Sequence, residues 1–151
     1  MIFITSFFEI TNLPEGVKPW SAAVYQPKGY ELPKAEWTDI RDKSGRWIRP
    51  REFIGTDNPP AAYREALYEL YNSRMIPALQ WYNKVRGTDV ALCCWCPHDK
   101  AAQRQLEEFG SFICHTAVLG EWLHSTTGVP VWYDSARLQM LPLTQKGLTS
   151  I

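Results

Sequence analysis

Residues 90–95 read Val90-Ala91-Leu92-Cys93-Cys94-Trp95, a stretch of strand length that carries no charge. A strand with one wet face alternates apolar and polar side chains, whereas an unbroken apolar run is what a strand covered on both faces requires. The segment therefore predicts a central parallel strand, and parallel neighbours need long, usually helical, crossovers.

Working outward, both flanks supply such crossovers. Upstream, Asn58-Pro59-Pro60 offers a cap and prolines for a first turn, and Tyr63, Ala66, Leu67, Leu70 and Tyr71 recur at helical spacing. A second helix is expected over 77–85, opened by Pro77 and stopped by Arg86-Gly87-Thr88-Asp89. Downstream, Pro97-His98-Asp99 should start a helix that runs to Gly110, and another is expected over 114–125, ending near Gly128. Further strands are expected at 2–8 (IFITSFF), at 20–25 (WSAAVY) and at 129–133 (VPVWY), the last at an edge because of Pro130. Beyond Asp134, Leu138, Met140 and Leu141 suit a short helix or docking segment, and residues 145–151 read as a frayed tail. Strand, loop, helices, strand, helices, strand is the order of an α/β domain with three layers: a central, mostly parallel sheet and helices on both faces. Ligands in such folds sit at the carboxyl ends of the strands.

Composition sets the outer limits. The chain has 151 residues, 45% of them hydrophobic and 21% charged, with 16 basic and 16 acidic side chains cancelling to zero. That fits one domain over 1–151 with a true core, and argues against disorder. Zero net charge removes the broad basic field used by sequence-independent nucleic-acid binders. No apolar run approaches the roughly 18 residues of a membrane span, and MIFITSFFEI lacks the cationic start of a secretory signal, so a cytoplasmic protein without a membrane partner is expected. Neither a phosphate-loop motif nor a dinucleotide glycine fingerprint is present.

The chemistry concentrates after the central strand. All four cysteines, Cys93, Cys94, Cys96 and Cys114, fall in one window with His98 and His115. Alternation along a strand puts Cys94 and Cys96 on one side and Cys93 on the other, with Cys96 placed at the strand end to meet a ligand. Cys114 and His115 stand where a helix should begin, and free N–H groups there lower a thiol's pKa and attract anions. Three readings compete. A zinc site would use these thiolates and imidazoles, but the spacing matches no standard finger. A reactive thiol would have His98 or His115 beside it. Ordinary core packing explains Cys93 and Cys94 without any chemistry. The candidate catalytic residues are thus Cys96, Cys114 and His115, with no metal assigned and the cofactor open.

Ser6, His98, Asp134 and Arg137 are candidate ligand-binding groups. Thr5 and Ser6 lie near the end of the first strand, and Asp134 follows the last strand with Arg137 one helical turn on; strand-end packing and helix capping are the plainer roles for them. Glu121 and Arg104 are possible charge partners in the cleft, or solvated helix charges. Finally, residues 28–58 form an irregular stretch that mixes Trp37 and Trp47 with Lys28, Lys34, Arg41, Lys43, Arg46, Arg49 and Arg51. Aromatics interleaved with cations suit nucleic-acid contact, although Glu31, Glu36, Asp39, Asp42 and Glu52 share the stretch and aromatic anchors under a loop are ordinary packing.

The segment ALCCWCPHDKAAQRQLEEFGSFICHTAVLGEWL resembles the DUF488 family of small bacterial proteins, a grouping that includes the YeaO-like proteins. The matching pieces are the apolar strand to Cys96, Pro97, the pair Cys114-His115 and the face from Val118 to Leu123; WSAAVYQPKGY and VPVWYDSAR resemble the family's early and closing strands. Thr116 stands where many members have an arginine. The resemblance implies a compact Rossmann-like fold. It brings no settled activity, and the family's association with mobile elements and defence gene sets suggests nucleotide or nucleic-acid processing. The expectation is a small enzyme or sensor that takes a nucleotide, nucleoside or nucleic-acid ligand at a Cys/His cleft. The alternative is a non-catalytic module that binds a protein or nucleic acid through loop 28–58. Oligomeric state is not legible.

Overall fold

The computed structural model describes residues 1–25, 28–29, 32–53, 55–95, 115–134 and 140–142. Strands β1 (Ile2–Ser6), β2 (Lys18–Ser21), β3 (Val90–Cys94), β4 (Val131–Asp134) and β5 (Met140–Pro142) make one sheet in the order β2-β3-β1-β4-β5. The first four in that order run parallel; only β5 is antiparallel, against β4. Helices α1 (Pro59–Asn72), α2 (Met75–Val85) and α3 (His115–Thr127) supply the crossovers, giving a Rossmann-like α/β fold.

The uncharged run at 90–94 is fully buried between β1 and β2, as its composition requires. Alternation sends Val90 and Leu92 to one face, with Ile2, Ile4 and Val131, where they pack on Leu67, Tyr71, Trp81, Leu119 and Trp122 of the three helices. Ala91 and Cys93 face the opposite side, with Phe3 and Phe7. The three α-helices among the described residues pack on the first face. Among the described residues, the second carries a 3-10 turn, Phe7–Asn12, with Leu13 and Val17 after it.

Several element boundaries depart from the expected ones, each for a local cause. The first strand stops at Ser6 because the Ser6 hydroxyl accepts the Phe8 N–H and bends the chain into the 3-10 turn. β2 occupies 18–21 rather than 20–25, and α2 begins two residues before Pro77. β4 is no edge strand. Pro130 stays outside it, giving only its carbonyl to Ile2 N–H at 3.0 Å, and residues 140–142, read as a helix or docking segment, pair with β4 as β5. The expected helix over 97–110 lies outside the described residues.

Capping went as the sequence indicated. The Asn58 side chain accepts the Ala61 N–H at 3.3 Å, and Gly128, at φ 75°, closes α3.

The long loop is clasped to the body. Arg74, at the junction of α1 and α2, donates to the carbonyls of Trp37, Asp39 and Arg41. Asp39 ties down the same stretch by pairing with Lys34 at 3.2 Å and Arg41 at 2.7 Å. Burial alone would raise the Asp39 carboxyl, but the hydrogen bonds from Arg41 and Lys34 outweigh it and hold it well below the ordinary aspartate range. None of the helices among the described residues is long and apolar enough to cross a membrane.

Candidate ligand-binding edge of the sheet

The carboxyl ends of β1, β2 and β3 meet along one edge, where Ser6 lies opposite Cys94 and Ser21 opposite Cys93. Aromatic residues follow the ends of all three strands, directly after β1 and β3 and four residues after β2. After β1, the Ser6 cap turns Phe7 inward, 4% exposed, and leaves Phe8 outward, 64% exposed. After β3 comes Trp95, 44% exposed, with its ring 5.1 Å from Phe7 and 5.8 Å from Phe8. Four residues beyond the end of β2, past Ala22, Ala23 and Val24, lies Tyr25, 65% exposed, whose carbonyl accepts the Trp95 indole N–H at 2.8 Å. Tyr25 in turn lies 5.8 Å from Trp47, and the Arg49 guanidinium sits 4.9 Å over the Trp47 ring. Phe8, Trp95 and Tyr25, with the half-buried Trp47 and Arg49 beside them, thus form one connected aromatic and cationic surface. Its rings keep solvent-facing area although burying each would gain about 1.5–3 kcal/mol.

The polar groups expected here divide into several fates. Ser6 is at this edge but is buried and engaged as the cap of the 3-10 turn. His115 opens α3 beside the end of β3, and its carbonyl accepts the Tyr71 hydroxyl at 3.3 Å. Asp134 ends β4, bringing its backbone to the same edge. Cys94 is buried under α3, its sulfur 3.2 Å from the Thr116 hydroxyl. Cys93 points to the other face, where burial pushes its thiol up to about 12, so it is not a thiolate at neutral pH. Core packing therefore accounts for Cys93 and Cys94. Cys96, His98, Arg104, Cys114 and Arg137 lie outside the described residues. Among the described residues, no three His, Cys, Asp or Glu side chains gather as a metal site would need.

Glu121 faces a different direction from the one considered for it. Its carboxylate is buried between α1 and α3 and takes the Arg64 guanidinium at 2.9 Å. Burial raises the Glu121 pKa above the ordinary glutamate value, against the pull of Arg64 and of the Tyr68 hydroxyl. Tyr68 is itself pushed up to about 12, by burial first and then by the Glu121 charge. An open groove of about 420 Å³ lies alongside, lined by Ala61, Arg64, Glu65, Tyr68, Glu121 and Ser125. Arg64 and Glu121 neutralise one another there, which makes the pair a clasp between two helices.

No family model, curated protein or solved structure matches the chain.

Of the two loop tryptophans that the sequence singled out, Trp47 reaches this surface and Trp37 does not. Trp37, read as a loop residue available for docking, is 3% exposed and packs against Tyr71, Trp81 and Trp122. Phe8 and Trp95 were absorbed into expected strands, and Tyr25 was taken as the end of another. The available signal was positional: an aromatic immediately beyond the end of a parallel strand arrives at the edge where ligands bind.

Proposed function

We propose that the carboxyl edge of the sheet binds a ligand with a planar heteroaromatic ring, of the nucleotide or nucleoside class, by stacking it on Trp95 and Phe8. One observation carries this reading: Phe8, Tyr25 and Trp95, three of the chain's exposed large hydrophobic side chains, stand together at the ends of parallel strands. Ring faces accept any base, and stacking contributes about 1–3 kcal/mol per base. If the protein is an enzyme, Cys96 or Cys114 supplies the nucleophile or a metal ligand and His115, at the helix start beside the edge, the base or second ligand. Membership of the DUF488 family is part of the same proposal and rests on the Cys114-His115 segment.

The test is calorimetric titration with adenosine, guanosine, cytidine and uridine monophosphates. Binding that is lost in Trp95→Ala, while the variant stays folded at the titration temperature, supports the reading. Binding as tight in Trp95→Ala and Phe8→Ala as in the parent chain removes it.

A further inference from the structure

We infer that the occupant of this edge is a nucleic-acid single strand that continues from Trp95 across Tyr25 to Trp47 and Arg49; the inference rests on the ring-binding reading above. A mononucleotide needs one ring platform and one anion contact. Here two ring pairs follow one another, Phe8 with Trp95 and Tyr25 with Trp47, and the Trp95 indole bonded to the Tyr25 carbonyl joins them into one strip. The Arg49 guanidinium, 4.9 Å from the Trp47 ring centre, continues that strip with a group that can stack under a base while its N–H edge meets a phosphate.

Charge in the loop supports the same occupant. The acidic residues that oppose nucleic-acid contact are largely engaged within the fold: Asp39 by Lys34 and Arg41, Glu52 by Arg46 at 3.3 Å, and Asp42 by the backbone N–H groups of Ser44 and Arg46. Lys28, Lys43 and Arg49 have no carboxylate within ion-pair distance among the described residues. The chain's zero net charge argues against duplex binding driven by counterion release, while stacking needs unpaired bases. A neutral protein with solvent-facing rings, and with cations that have no carboxylate partner among the described residues, therefore fits a single strand better than a duplex.

The experiment is fluorescence anisotropy with labelled oligothymidylate and oligouridylate of about ten nucleotides, competed by the monophosphates and by a duplex of the same length. Expected is tighter binding of at least one oligonucleotide than of any monophosphate, weakened about five- to hundredfold by Tyr25→Ala and by Trp47→Ala. With one phosphate met by each of Lys28, Lys43 and Arg49, the log–log salt slope would be about −2; Arg49→Gln should reduce it by about 0.7. Comparing the thymidylate and uridylate arms shows whether DNA or RNA is preferred. Monophosphates that bind as tightly as both oligonucleotides, or Tyr25→Ala and Trp47→Ala without effect on oligonucleotide binding, overturn this inference and leave the ring site standing. A duplex that binds tighter than either single strand also overturns it. Absence of binding by every probe overturns both. Melting curves of the variants separate lost binding from lost folding.

Discussion

Trp95 donates its indole N–H to the backbone carbonyl of Tyr25 at 2.8 Å, joining the exits of β3 and β2 across 70 positions of sequence. The bond holds one ring at the edge while leaving 44% of Trp95 exposed. Trp95→Phe keeps a ring but loses the bond. It should therefore retain ring binding weakened by a few fold, with stability lowered by about 0.5–1.5 kcal/mol in urea unfolding. Equal loss of binding in Trp95→Phe and Trp95→Ala would show that the bond, and not the ring face, matters.

Trp37 belongs to the core, and its replacement should behave as a core deletion. Trp37→Ala removes ring contacts to Tyr71, Trp81 and Trp122 and should cost about 3–5 kcal/mol in chemical denaturation. A loss below about 1 kcal/mol would place the ring at the surface, contrary to this structure.

Arg74 holds the loop by three carbonyls, so its removal leaves them without their cationic donor. Arg74→Met keeps much of the aliphatic stem and should cost about 1.5–3 kcal/mol, with new protease cleavage between residues 39 and 49 in native conditions. An unchanged digestion pattern would mean that the loop is anchored by other contacts.

Two carboxyl groups give stability opposite dependences on pH. Asp39 titrates below its ordinary value of 3.8 in the fold, so its contribution is complete above that value and is lost as pH falls through and below it. Glu121 is raised above its ordinary 4.5; the fold binds its proton more tightly than the unfolded chain does, so this contribution is present below 4.5 and fades as pH rises through the folded value. Melting temperature against pH should show Asp39→Asn flattening the limb below 3.8 and Glu121→Gln flattening the limb above 4.5. The reverse assignment of the two limbs would contradict both carboxyl environments.

Cys93 should resist alkylation. With its thiol buried and pushed up to about 12, iodoacetamide at pH 8 should leave it unmodified in the native protein and label it fully in urea, read by peptide mass spectrometry. Labelling of native Cys93 at the rate of an exposed thiol would mean that the sheet face is open.

Where the sequence spoke through local rules, it was legible. The uncharged run at 90–95, the Asn58-Pro59-Pro60 start and Gly128 each carry their own instruction, and β3, α1 and the end of α3 follow from them. What was not legible depends on contacts between distant residues. Periodicity assigns Phe8 to a strand, because nothing in the run itself shows that the Ser6 hydroxyl will take the Phe8 N–H. Trp37 and Trp47 look equivalent in an irregular loop, and only the Arg74 clasp and the helices behind it decide that the first is buried. Pro130 looked like the mark of an edge strand until β4 began one residue later. Of the candidate site, the backbones of Ser6, His115 and Asp134 lie at one edge of the sheet, because β1, β3 and β4 run parallel.

The most direct test is a two-dimensional spectrum of the indole N–H groups of the seven tryptophans during titration with adenosine monophosphate. The account predicts that the Trp95 resonance, assigned through Trp95→Phe, shifts progressively and saturably while those of Trp37, Trp81 and Trp122 stay in place. A saturable titration that moves the buried indoles and leaves Trp95 unchanged, or no shift at all at millimolar nucleotide, would contradict it.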